Sequence, residues 1–192
     1  RAERKWIQDN NFNSKYKTVE VSPQVYISQP MAFNYGLSFN QVSMIGVDCM
    51  HSLGYVGEGM VIAVLDAGFY GVDTIPAFDS LWVNNQILGT RDFVSGGTSV
   101  FEDASHGMSV LSTIAGNLPG QIVGTAPAAK FWLLRTEQSS TEYVIEEDNW
   151  VTAAEFADSV GADIITTSLG YTEFDDTLQD HTYADMNGNT TR

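Results

Sequence analysis

Only one cysteine, Cys49, occurs among the 192 residues, so no disulfide framework can form within the chain. It lies in an apolar stretch, residues 44–53, where a small buried thiol is the expectation. Basic residues are scarce: nine Lys and Arg face 24 Asp and Glu, a formal net charge of −15. A surface of that sign repels a phosphate backbone, which excludes nucleic acid as the expected partner. Apolar runs such as residues 61–65 are far too short to span a bilayer, which excludes the membrane. No long polar tract, internal repeat or dividing linker occurs either. With 43% hydrophobic and 11% aromatic residues, the composition is that of one folded domain. The acidic balance is compatible with calcium binding and with life outside the cell, without requiring either. The chain opens at Arg1 with no charged-then-apolar leader, so a removed signal or an excised piece is the expectation.

Residues 1–40 mix basic, aromatic and turn-forming types without a sustained period, and read as an arm with one short helix at 1–8. From residue 41 the pattern sharpens. Ile45, Val47, Met50 and Leu53 predict a helix ending at Gly54. The run 60–65 predicts a strand buried on both faces, as in a parallel sheet. A helix is expected over 106–116, with Pro119-Gly120 breaking the chain behind it. A second buried strand is expected at 129–134, a helix over 150–160 that stops at Gly161, and a strand at 163–168. Strands alternating with helices predict an α/β fold around a parallel sheet, whose crossover connections lay helices on its faces.

Asp66 falls at the C-terminal end of the 60–65 strand, the edge of an open α/β sheet where sites are usually built. The plainer reading is an aspartate capping a turn. His106 opens a predicted helix of small and apolar residues, where an imidazole can act as general base if a carboxylate fixes its tautomer. The plainer reading is a structural histidine.

Taken together, VIAVLDAGF and, forty residues later, SHGMSVLSTIAG resemble the aspartate and histidine motifs of the subtilisin-like serine protease family. Gly124-Thr125-Ala126-Pro127-Ala128-Ala129 is similar to the turn that follows the histidine helix in that family. Thr167-Ser168-Leu169-Gly170 is similar to the segment lining its substrate channel. The resemblance runs from about residue 41 to 170 and implies a three-layer fold with a mostly parallel central sheet, incomplete here at its C-terminal side. It also implies that Asp66 orients His106, that His106 takes a proton from a serine, and that Ser168, Leu169 and Gly170 bind peptide by strand addition. Leu133–Arg135 would occupy the facing substrate strand. Ser109 stands where many members carry a second histidine, a position that varies. The family's serine motif and oxyanion asparagine have no match in the chain. Gly97-Thr98-Ser99 spells part of that motif, but lies between the acid and the base and lacks the following Met-Ala, so Ser99 is not the expected nucleophile.

The implied partners are therefore peptide or protein substrates and the C-terminal remainder of the same protease. The implied location is secreted or cell-surface. Residues 41–192 would be the N-terminal part of the peptidase domain. Residues 1–40 would be an arm, or a remnant of the inhibitory prodomain that precedes the catalytic domain in Bacteroidetes-type members. The end at Arg192, in the polar stretch DMNGNTTR, is expected to lie in an exposed loop and would suit a cut by a trypsin-like activity. Two other classes compete: a subtilase-like module that binds peptide without cleaving it, and an α/β hydrolase with Asp66 as nucleophile. The second usually carries another aspartate two residues on, where Gly68 and then Phe69 follow here.

Weaker patterns complete the reading. Asp185, Asn187 and Asn189 alternate around Gly188 as oxygen donors to calcium do, although without the later glutamate of an EF-hand; an Asn-Gly turn is the simpler account. Glu146, Glu147, Asp148 and Asn149 read as a solvated helix entry, with a cation or basic side chain as alternative ligand. His51 and His181 have no sequence neighbours that point to a metal site.

Overall fold

A computed structural model describes residues 33–182. The expected arm helix at 1–8, the calcium pattern at 185–189 and the end at Arg192 lie outside the described residues. Two short helices, α1 (Phe39–Met44) and α2 (Val47–Ser52), replace the single helix predicted over 45–53. The break is at Gly46, whose φ of 74° is a left-handed conformation that ends one helix and starts the next. Strand β1 (Val61–Asp66) follows, then a 3₁₀ turn at Pro76–Phe78, α3 (Asp79–Val83) and β2 (Ile87–Asp92). Helix α4 (His106–Ala115) leads into a small antiparallel hairpin of β3 (Asn117–Leu118) and β4 (Ile122–Val123), turned by Pro119 and Gly120. Strand β5 (Lys130–Arg135), helix α5 (Ile145–Ser159), strand β6 (Ile164–Thr167) and a 3₁₀ turn at Thr177–Gln179 complete the order.

The four long strands form one parallel sheet in the order β2-β5-β1-β6. Strand β1 is central, and its alternate side chains enter two different cores. Ile62 and Val64 meet Phe69, Phe78, Leu81, Leu111 and Phe131 on the face covered by α3 and α4. Ala63 and Leu65 meet Leu134, Ala153 and Ala157 under α5. A strand with helices on both faces must be apolar at every position, which is why 61–65 shows no polar alternation. A third cluster joins Tyr35, Val42 and Val123, so the residues before α1 rest on the same body. The three-layer α/β arrangement expected from the sequence is present.

Strand β5 lies between β2 and β1, with both edges hydrogen-bonded. Leu133–Arg135 therefore has no free edge to offer a substrate strand, contrary to the expectation. Strand β6 pairs with β1 on one side. Its Ile164 and Ile165 are 47% and 39% exposed, in contrast to the wholly buried interior of β1.

Candidate active site

Asp66 is the last residue of β1, and its side chain is fully buried. Parallel pairing with β5 fixes its backbone: Asp66 lies opposite Arg135, and Thr136 N donates to Asp66 O at 3.0 Å. The carboxylate is aimed by a local bond, Ala67 N to Oδ1 at 2.7 Å. His106 stands at the start of α4 and donates through Nδ1 to the same Oδ1 at 2.8 Å. That bond sets the tautomer: Nδ1 carries the proton, and Nε2 is left as the basic nitrogen. The imidazole is 55% exposed while its carboxylate partner is 0% exposed, so a buried anion supports a base that reaches solvent. Asp66 Oδ2 is buried with no hydrogen-bond partner among the described residues.

Helix α4 reaches the end of β1 because Gly107 follows the histidine. A Cβ at Gly107 would lie 2.5 Å from Gly68 O and 2.8 Å from Asp66 Cβ. Any larger residue would separate the acid from the base. Gly68 is the counterpart across the contact, where a Cβ would lie 2.8 Å from both Ala104 N and Ala104 O. The loop before α4 is stitched to the turn after β1 by Phe69 N to Val100 O at 2.9 Å and Tyr70 N to Ala104 O at 3.1 Å.

One residue of this architecture was not singled out from the sequence as an electrostatic centre. Arg135, at the end of β5, is 2% exposed. It donates from Nε to Ala67 O at 3.1 Å, and its Nη1 lies 2.9 Å from Asp92 Oδ2 and 3.1 Å from Asp103 Oδ2. A single guanidinium thus ties the turn after Asp66, the end of β2 and the loop three residues before His106. The signal was present: an arginine closing the apolar run FWLL must find carboxylates or carbonyls if the strand is buried.

The other sequence candidates fall as follows. Ser168 and Gly170 are exposed and Leu169 is partly buried, immediately past the end of β6. Ser99 donates its hydroxyl to Glu102, which accounts for it without the histidine. His51 is buried between Tyr35 Oη at 2.8 Å and Thr125 O at 3.0 Å, a structural role. Two expectations are corrected. Cys49 is exposed, because α2 buries His51 and turns Cys49 outward. Glu146 is buried, not part of a solvated entry, because the first turn of α5 faces Glu137 and Tyr171. His181 has Glu147 Oε1 2.7 Å from its Nε2, a single carboxylate partner. No group of three His, Cys, Asp or Glu side chains among the described residues could hold a metal ion. No helix among them is long and apolar enough to cross a membrane.

Comparison with known proteins adds to this geometry. Residues 57–191 match the subtilase family, peptidase S8. Subtilisin E of Bacillus subtilis is 31% identical over 134 residues, which cover 67% of this chain and 32% of that protein. The thermostable alkaline protease of Halalkalibacterium halodurans is 30% identical over 168 residues, covering 85% of this chain and 40% of that protein. Among solved structures, the MycP3 protease of a type VII secretion system superposes with a TM-score of 0.52 at 20% identity, covering 73% of this chain and 38% of that one, a likeness of fold. The chain thus spans well under half the length of the relatives it matches. With its acid and base motifs on a parallel three-layer sheet and more than half of its length matched, the chain belongs to the subtilase family.

Proposed function

We propose that the protein is a serine endopeptidase in which this chain supplies the acid and the base of an Asp-His-Ser triad. The observation that carries the reading is the 2.8 Å bond between buried Asp66 and half-exposed His106 at the C-terminal edge of a subtilase-family sheet. Nε2 of His106 takes the proton of a serine hydroxyl as that oxygen attacks the peptide carbonyl, and later returns it to the leaving amine. Asp66 stays ionised and stabilises the imidazolium. The serine and the oxyanion asparagine belong to a C-terminal remainder, which completes the sheet beside β6. Ser168, Leu169 and Gly170 bind the substrate backbone as an added strand; their exposure just past β6 is what supports that role.

The same reading makes the protein a secreted or cell-surface enzyme of the Bacteroidetes type, with residues 1–40 as arm or prodomain remnant and residues 41–192 as the start of the peptidase domain. A strongly acidic chain with one cysteine is compatible with that setting. Calcium is the proposed structural ion, held by Asp185, Asn187 and Asn189, whose carboxylate and amide oxygens suit a hard cation. Addition of calcium after chelation should then raise the Tm of the full-length protein, and the Asp185→Asn variant should show no such rise.

The deciding experiment labels the full-length protein with a fluorophosphonate serine-hydrolase probe and locates the label by mass. Label on a serine C-terminal to this chain, lost in His106→Ala, is the expected result. A folded full-length protein that takes no label would overturn the peptidase reading and leave a peptide-binding module.

A further inference from the structure

Three segments that are distant in sequence meet beside the proposed peptide-binding segment. Glu137 lies just past β5, Glu146 lies in the first turn of α5, and Tyr171 directly follows Gly170. Both glutamates are buried. The Tyr171 hydroxyl donates to Glu137 Oε1 and lies 3.4 Å from Glu146 O, while Gln138 N approaches Glu146 Oε1 at 3.4 Å. The Tyr171 hydroxyl therefore bridges the two glutamates, and both carboxyls are raised from their ordinary value, by burial first and, for Glu146, by the neighbouring Glu137 next.

Two adjacent buried carboxylates cannot both ionise cheaply, and a proton held between them turns repulsion into a hydrogen bond. Arg135 is committed to Asp92 and Asp103, and reaches the cluster only through Gln138 Oε1 at 2.7 Å. The other charged neighbours do not neutralise the pair. Glu142, before α5, adds negative charge, and Glu147, on α5, is paired with His181.

We propose that Glu137 and Glu146 share one proton and, through Tyr171, act as positioning residues that hold segment 168–170 in the place where substrate peptide binds. The proposal rests on the assignment of 168–170 as that segment. Ser168 and Gly170 are exposed, so the segment has little packing of its own, and Tyr171 is the anchor that follows it. Glu137 is the ionised member, accepting from the tyrosine and from the protonated Glu146. Burial, and then the hydrogen bond and charge of Glu137, push the Glu146 carboxyl up to about 7. Below that pH the clamp is closed. Above it the shared proton leaves, two like charges face each other, and the hold on Tyr171 weakens.

The test uses the full-length protease and a mixture of internally quenched peptides, with kcat and KM followed from about pH 5.5 to about pH 9, either side of the pair's titration. In the wild type KM should rise several-fold as pH passes about 7, the weakening expected when a charge-assisted hydrogen bond is lost. Glu146→Gln keeps a neutral donor to Glu137 at every pH, so its KM should stay flat and low. Tyr171→Phe should raise KM by roughly tenfold at low pH with kcat changed less than about twofold, as for loss of one such bond. His181→Asn removes the neighbouring histidine and should leave the KM profile in place. A wild-type profile in Glu146→Gln, a wild-type KM in Tyr171→Phe, or a profile abolished by His181→Asn would each overturn the proposal.

Hydrogen exchange of peptides covering 168–171, corrected for intrinsic rates, gives a second reading that needs no turnover. Protection should fall above about pH 7 in the wild type and persist in Glu146→Gln. If this pattern appears in a protein that neither labels nor cleaves, the peptidase reading fails and the clamp stands. If the protein cleaves peptides while exchange and KM ignore Glu146, the clamp fails and the peptidase stands.

Discussion

At the scale of single residues, the site is organised by two buried charges of opposite sign. On the proposed peptidase reading Asp66 acts through its bond to His106 Nδ1, so Asp66→Asn in the full-length protein keeps the shape while favouring the wrong tautomer. We expect kcat to fall by about 10⁴-fold, the loss known for this change in another triad protease, with KM little altered; steady-state hydrolysis would check it. Arg135 is the structural counterpart. Its replacement by Met fills the volume but leaves Asp92 buried without its cation. A loss of about 3–5 kcal/mol is expected for a broken buried pair, read as a lower denaturant midpoint at unchanged m-value. A milder change at exposed Cys49, Cys49→Ser, should leave stability within about 0.5 kcal/mol.

At the scale of elements, the site depends on how closely α4 can approach β1. The Gly107→Ala variant places a methyl group 2.5 Å from the backbone Gly68 O, with Asp66 Cβ at 2.8 Å and the Phe69 ring at 2.9 Å leaving it no room. We expect about 1–3 kcal/mol of destabilisation together with a loss of kcat, because relief of the clash moves His106 away from Asp66. Circular dichroism melts and kinetics on the same preparation would separate the two effects. The junction of β5 with α5 responds to pH. The Glu146 carboxyl is raised from its ordinary 4.5 to about 7, so the folded protein holds a proton that the unfolded chain releases. Its contribution is fully present below about pH 4.5 and is lost as pH rises through about 7. The wild type should therefore lose stability over that window relative to Glu146→Gln, measured by urea titrations at several pH values. These elements were unequally legible. Strands β1, β5 and β6 were located from sequence to within a residue or two; for β1 and β5 the signal is an apolar run without alternation, the mark of a parallel strand covered on both faces, and for β6 it is a β-branched run behind Gly161. Strand β2, ILGTRD, was missed: it is partly exposed, carries charge, and shifts register between Ile87 and Gly89, where the Trp132 ring lies over the glycine.

At the scale of the whole molecule, the described sheet has two edge strands, β2 and β6. Strand β6 carries exposed Ile164 and Ile165 at the edge beyond β1, in a chain that covers 32% of Subtilisin E. Exposed apolar strand edges invite pairing with other chains. We expect the isolated 192-residue chain to melt without a cooperative transition and to associate, and the full-length protein to melt cooperatively; calorimetry and light scattering would decide.

The sequence by itself determined the fold class and singled out Asp66 and His106, the pair that meets at the sheet edge. Both are written in local patterns: a buried strand ending in aspartate, a histidine opening a helix, and a glycine beside it. It could not show the partners of Arg135, the burial of Glu146, or the convergence of Glu137 and Tyr171. Those depend on side chains brought together from segments far apart in the chain, and a charged residue reads as solvated until its distant partner is known. Only the tertiary structure decided which carboxylates face water and which are buried beside another carboxylate or a cation, because the cost of burying charge is set by neighbours in space.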